Sequence, residues 1–163
     1  QAWEAVEKAG MPRVYWDFKA AKRYLEKGQT PWTPAVSLLF GLSVALDLMA
    51  AEGLPNILER HRQIGEYTRA GLKARGIELF PADERYASNA VTAFKLPPGV
   101  AWSELGRRLR TEHGVVISGG QQTLSDKIGR IGHLGYVSKA DIDDVFRALD
   151  VVLPELGFVP KRS

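Results

Sequence analysis

The 163-residue chain has no cysteine, two methionines and three histidines. Without a thiol there is no disulfide framework, no thiolate nucleophile and no cysteine metal site. His61, His113 and His133 are spaced too widely to read as a ligand set, so no metal is expected. Long apolar runs are also missing. The longest, Leu38 to Ala51, is broken by Gly41, Ser43 and Asp47 and falls short of a bilayer, so it reads as a buried or interface helix with no membrane partner. The formal charge of +3 is spread along the chain, which gives no ground for a nucleic-acid partner. No basic-then-apolar leader opens the sequence at Gln1, and the corresponding expectation is a cytoplasmic protein.

What is present is ordinary globular composition, with 45% hydrophobic and 25% charged residues, enough to bury a core. Ala2 to Ala9 is helical in composition and ends at Gly10-Met11-Pro12. Asp17 can cap a helix from Phe18 to Lys27, with Gly28 as its stop. Pro31 and Pro34 then forbid a helix interior, and Pro34 suits the first turn of a long helix ending at Glu52. Such a helix spans roughly 28 Å, enough to link two domains. The character changes at Gly53, which gives expected domains of 1–53 and 54–163. Ile57 to Arg75 is an amphipathic helix, Ile77 to Phe80 and Ala87 to Leu96 are strands, and Ser103 caps a helix to about Glu112. Ser138 caps a last helix striped by Ile142, Val145, Phe146, Leu149, Val152 and Leu153, and Pro160 to Ser163 read as a loose end. The class is α+β: a helical segment and a linking helix, then a small sheet with helices packed on one face.

The stretch Val115 to Ser138, VVISGGQQTLSDKIGRIGHLGYVS, is the centre of the reading. Val115 to Ser118 reads as a short buried strand and Lys127 to Gly132 as a second one. Alternation places Ile128 and Arg130 on one face and Gly129 and Ile131 on the other. A guanidinium in mid-strand is costly to bury unpaired, yet its planar fork matches a carboxylate or phosphate with two bonds. Arg130 is therefore either an anion clamp or an arginine paired with an internal acid or reaching solvent. Gln29-Thr30-Pro31-Trp32-Thr33-Pro34 is the second candidate. Its amide, hydroxyls and adjoining helix end suit a phosphate, and the same threonines could merely cap the helix. The glycines of 119–120 and 129–135 lack the spacing of a dinucleotide fingerprint or a P-loop. His133 reads as a satisfied structural histidine, Trp32 as packing, and Asp141, Asp143 and Asp144 as first-turn acids favoured by the helix dipole.

Taken together, Gln29-Thr-Pro-Trp-Thr-Pro-Ala-Val36 entering a long helix, followed much later by Gly119-Gly120 and Lys127-Ile-Gly-Arg-Ile-Gly-His-Leu-Gly135, resemble the class V, fold type I, pyridoxal-phosphate aminotransferases. The likeness is to the alanine-glyoxylate, serine-pyruvate and small-acid aspartate branch, and it covers essentially the whole chain. The resemblance implies that Arg130 binds the α-carboxylate of a small amino-acid or 2-oxo-acid substrate. It implies that Gln29, Thr30 and Thr33 reach across a homodimer interface to the phosphate of the neighbouring subunit's pyridoxal 5'-phosphate. It also implies that the lysine forming the Schiff base, the acid on the pyridinium nitrogen and the stacking aromatic lie upstream of Gln1. No catalytic residue is then expected in this chain. It would be the C-terminal portion of a longer enzyme, with 1–53 as the end of the large cofactor domain plus the connecting helix. A lyase or desulfurase of the same fold, and a free-standing α+β acid-sensing module, are the rival readings; the missing cysteine weighs against a desulfurase.

Overall fold

The computed structural model describes residues 1–159, and the expected loose end at Pro160 to Ser163 lies outside them. The chain divides into two compact units, Gln1–Ala51 and Glu52–Ser163. Among the described residues there are six α-helices and one three-stranded sheet, so the α+β class expected from the sequence is the class observed.

The first unit contains α1 (Ala2–Lys8), α2 (Phe18–Leu25) and most of α3 (Val36–Glu52). Asp17 caps α2 as expected, its Oδ1 accepting from the backbone N–H of Lys19 at 2.9 Å and of Ala20 at 3.3 Å. Gly28, at φ 64°, turns the chain out of that helix. The long helix begins at Val36 rather than at Pro34, because the first intrahelical bond runs from Leu39 N–H to the Ala35 carbonyl. It is apolar on all sides, and every side chain from Val36 to Ala51 is exposed. No single helix among the described residues is long and apolar enough to cross a membrane.

The second unit holds α4 (Leu54–Ala74), β1 (Val91–Lys95), α5 (Trp102–His113), β2 (Ser118–Gly119), β3 (Ile128–Gly132) and α6 (Lys139–Glu155). Strand order is β1-β3-β2, antiparallel throughout, with Ala93 and Ser118 flanking Arg130 and with Phe94 and Gly119 flanking Gly129. The core gathers on one face. Phe94, Ile131, Leu105, Leu109, Ile142, Phe146, Leu149 and Val152 pack there with α4, α5 and α6. Asp141 accepts from the backbone and hydroxyl of Ser138 at 2.8 and 2.7 Å, fixing the start of α6 where the sequence placed it.

Four expected boundaries are corrected. Val115 to Ser118 is not a buried strand. Only Ser118 and Gly119 pair with β3, while the Val115 N–H bonds back to Leu109 to close α5 and Val116 is 65% exposed. Ile77 to Phe80 contributes a single bridge, Leu79 to Phe94, instead of a strand. Strand β1 is confined to Val91–Lys95, because pairing to β3 ends at Gly132. Ser103 does not cap α5: extended backbone at Ala101 makes Trp102 the first helical residue. In addition, α4 starts at Leu54, ahead of the expected Ile57, with Pro55 in its first turn.

Two features hold β3 in place. A Cβ at Gly129 would lie 2.2 Å from the Phe94 ring, so the ring lies directly on the strand backbone. Just past the strand, His133 is fully buried. Its Nδ1–H donates to the Asn89 carbonyl at 3.1 Å, which leaves Nε2 to accept from the Thr92 hydroxyl at 2.8 Å. Burial pushes the His133 imidazole below its ordinary value of 6.5, and the nearby Arg69 charge adds to that effect. Gly129→Ala is expected to lower stability by about 1–3 kcal/mol through overpacking, read as a reduced denaturant midpoint. The lowered His133 pKa means that the unfolded chain takes up the proton first. The stabilisation is therefore complete above about pH 6.5 and is lost as pH falls through the folded value. Denaturant midpoints measured from pH 7.5 down to 5 should fall, and His133→Gln, although less stable, should show a shallower fall over the same range.

Candidate functional site

On β3, Gly129 and the Ile131 side chain lie on the face toward the helices and the side chains of Ile128 and Arg130 on the opposite one, as alternation requires. Ile128 is buried beside Gly120, but Arg130 is only partly covered. Its flanking residues on that side, Ala93 and Ser118, are short and carry no charge. Lys95, further along β1, is already paired with Glu78.

The guanidinium makes one hydrogen bond among the described residues: Nε–H donates to the Gly119 carbonyl at 2.9 Å. No carboxylate among the described residues lies within 4.0 Å of it, whereas Arg60, Arg62, Arg75, Arg85, Arg107, Arg108 and Arg147 all have acidic partners. Among the described residues, Arg130 does not make the internal ion pair that the sequence allowed. The bond on Nε leaves Nη1 and Nη2 without a partner among the described residues, and this pair is the fork that takes a carboxylate with two bonds.

Neighbouring elements brace this strand. Arg60 on α4 grips Glu52 through Nε at 2.6 Å and Nη2 at 2.9 Å, and its Nη1 donates to the Gly135 carbonyl at 2.8 Å, tethering the segment that follows β3. The Arg60 guanidinium beside Glu52 holds that carboxyl below the usual range. Between β2 and β3, Gln122 and Asp126 adopt φ of 51° and 54°, left-handed conformations that side chains rarely take. A Cβ at Gly120 would lie 1.8 Å from the Leu124 carbonyl oxygen, which makes glycine obligatory at the start of this loop.

Gln29, Thr30 and Thr33 lie in the first unit, in the exposed turn between α2 and α3. The Thr30 hydroxyl donates to the Trp32 carbonyl at 2.6 Å, and the Trp32 ring packs on Tyr15 at 5.1 Å. The Gln29 side-chain amide and the Thr33 hydroxyl make no hydrogen bond among the described residues, whereas the Gln29 backbone N–H donates to the Tyr24 carbonyl at 2.9 Å. Neither unit by itself brings these three residues together with Arg130. His133, read from sequence as structural, has both ring nitrogens satisfied inside the core. Sequence reasoning missed the Gly119 carbonyl, which as a backbone group leaves no mark in residue type. It also missed Trp102, whose indole lies against Gly119. Among the described residues, no cluster of three metal-ligating side chains occurs.

The family model described as Aminotransferase class-V matches residues 6–145. An uncharacterised aminotransferase of Methanocaldococcus jannaschii is 42% identical over 165 residues, covering 100% of this chain and 43% of the relative. A serine–glyoxylate aminotransferase of Arabidopsis thaliana is 33% identical, covering 97% of this chain and 40% of the relative. The crystal structure of ureidoglycine–glyoxylate aminotransferase from Bacillus subtilis superposes with a TM-score of 0.86 at 29% identity, covering 94% of this chain and 40% of that one. The chain thus spans about two fifths of the length of the relatives it matches. A family match over most of the chain, together with close relatives along its whole length, shows that this chain belongs to the class-V aminotransferases.

Proposed function

We propose that the chain is the C-terminal part of a pyridoxal-phosphate-dependent aminotransferase. It would move an amino group between a small amino acid, such as serine, alanine or aspartate, and a 2-oxo acid, such as glyoxylate or pyruvate. Residues 1–53 would end the large cofactor domain and supply the connecting helix, and 54–163 would be the small domain. The observation that carries this reading is the Arg130 fork, which has no acidic partner among the described residues and stands on the sheet face opposite the core formed with α4, α5 and α6.

Arg130 would hold the substrate α-carboxylate by two charge-assisted hydrogen bonds from Nη1 and Nη2, fixing the direction of the bonds at Cα. The cofactor, when bound, supplies an electron sink for the bond that breaks there. Residues of the α2–α3 turn fit its phosphate. The Gln29 amide and Thr33 hydroxyl are exposed and have donors to spare at the entrance to a helix. The one hydroxyl proton of Thr30 is already given to Trp32, so Thr30 would shape the turn while Gln29 and Thr33 make the contact. An exposed turn is suited to reach a neighbouring subunit, and an α3 apolar on all sides supports a homodimer in which this surface is covered.

In the longer enzyme, Arg130→Ala is expected to weaken substrate binding by about 1.5–3 kcal/mol, read from the substrate dependence of the cofactor absorbance change in the first half-reaction. Arg130→Lys should recover little of this, because an ammonium cannot make the forked contact. An unaltered half-reaction in Arg130→Ala would remove the assignment. Thr33→Ala should leave the substrate contact alone and weaken cofactor retention, measured by dialysis against buffer free of pyridoxal phosphate. The 163-residue chain alone, mixed with the cofactor and an amino acid, should not transaminate.

A further inference from the structure

The guanidinium of Arg130 is steered by a backbone carbonyl, and that carbonyl belongs to a short edge strand. Strand β2 is two residues long, pairs with β3 at Ser118 and Gly119, and is followed by one further bond, from the Gly120 N–H to the Ile128 carbonyl at 3.0 Å. Besides these bonds, it is packed by a ring from α5. The Trp102 indole lies so close to Gly119 that a Cβ there would sit 2.4 Å from Nε1, 2.5 Å from Cε2 and 2.7 Å from Cδ1. The ring cannot simply retreat, because a Cβ at Gly106, one turn further along α5, would lie 3.0 Å from Cζ2 and 3.1 Å from Cε2. The indole is thus held against two glycines, one on its own helix and one on the strand.

We infer that Trp102 is a positioning residue for substrate recognition: by seating on Gly119 it fixes the carbonyl that receives the Arg130 Nε–H, and so sets the direction of the Nη1/Nη2 fork. This rests on the reading of Arg130 as the carboxylate anchor. The chain of contacts runs from α5 through β2 to β3. Trp102 touches Gly119, and the Gly119 carbonyl accepts from Arg130 at 2.9 Å. A long side chain otherwise samples many rotamers, and a fork aimed in advance loses less freedom when the carboxylate arrives. Ala93 and Ser118 are too short to do this aiming from either side, so the task falls to the carbonyl.

The test uses the longer, cofactor-loaded enzyme with four variants. Gly119→Ala places a methyl group into the indole and should raise the KM for the amino-acid substrate about tenfold while kcat changes little, the pattern of weakened initial binding. Trp102→Leu added to Gly119→Ala should bring KM back to within about threefold of the unsubstituted enzyme, because the two positions act through one contact. Trp102→Leu alone should raise KM about threefold, and it decides the matter if Gly119→Ala does not fold. An unchanged KM in Gly119→Ala, or a double variant no better than Gly119→Ala, would overturn the inference, as would an unchanged KM in Trp102→Leu. Arg130→Ala separates the two levels of the proposal. If it raises KM and the Gly119 and Trp102 variants do not, only the positioning role fails; if it leaves KM unchanged, the anchor reading fails and the positioning role with it.

Discussion

A positive charge on a sheet can serve as a binding group only where nothing nearby neutralises it, and among the described residues Arg130 meets that condition. Its three helices and their apolar stripes occupy one face of the sheet. The other face is left with Ala93, Ser118 and Gly132 near Arg130, and the nearest lysine along β1 is already paired. Several other arginines are neutralised instead. Glu59 and Glu66 bracket Arg62, and Glu112 and Glu155 meet Arg108, so these charges are spent locally. The single neutral acceptor given to Arg130 orients the group without consuming its charge.

The core supports this by holding β3 from behind and at its end. Phe94 lies on Gly129, the Arg60 guanidinium grips Gly135, and His133 is locked between Thr92 and Asn89. Each contact is directed at backbone or at a side chain buried on the helix side. Together they fix where the strand runs while leaving Nη1 and Nη2 of Arg130 untouched. A strand held this firmly suits the carboxylate contact proposed for Arg130, which calls for one fixed orientation.

Much of this was legible in the amino-acid order. Local rules placed Asp17 at the start of α2 and Ser138 with Asp141 at the start of α6, because side chain and backbone there lie within three residues of each other. Period-two alternation put Arg130 opposite Ile131 and Thr92 opposite Val91. Strand limits were not legible, since they depend on partners distant in sequence. Val115 to Ile117 have strand composition but face no strand, and Ile77 to Phe80 meet β1 at one point. Ser103 carries the residue type of a cap, yet the bend of the chain falls at Ala101. The acceptor for Arg130 was hidden for a different reason, being a peptide carbonyl that any residue would supply.

The seating of rings on glycines has a consequence for how such a sequence can drift. Phe94 meets Gly129, Trp102 meets Gly119 and Phe146 meets Gly71, each so closely that no methyl group fits between the pair. At these six positions bulk on one side is tied to emptiness on the other. A lone enlargement of a glycine collides and a lone shrinkage of a ring leaves a void. Neutral change there must pass through an unfavourable single step, so the large and small members of each pair are bound to change together or stay as they are.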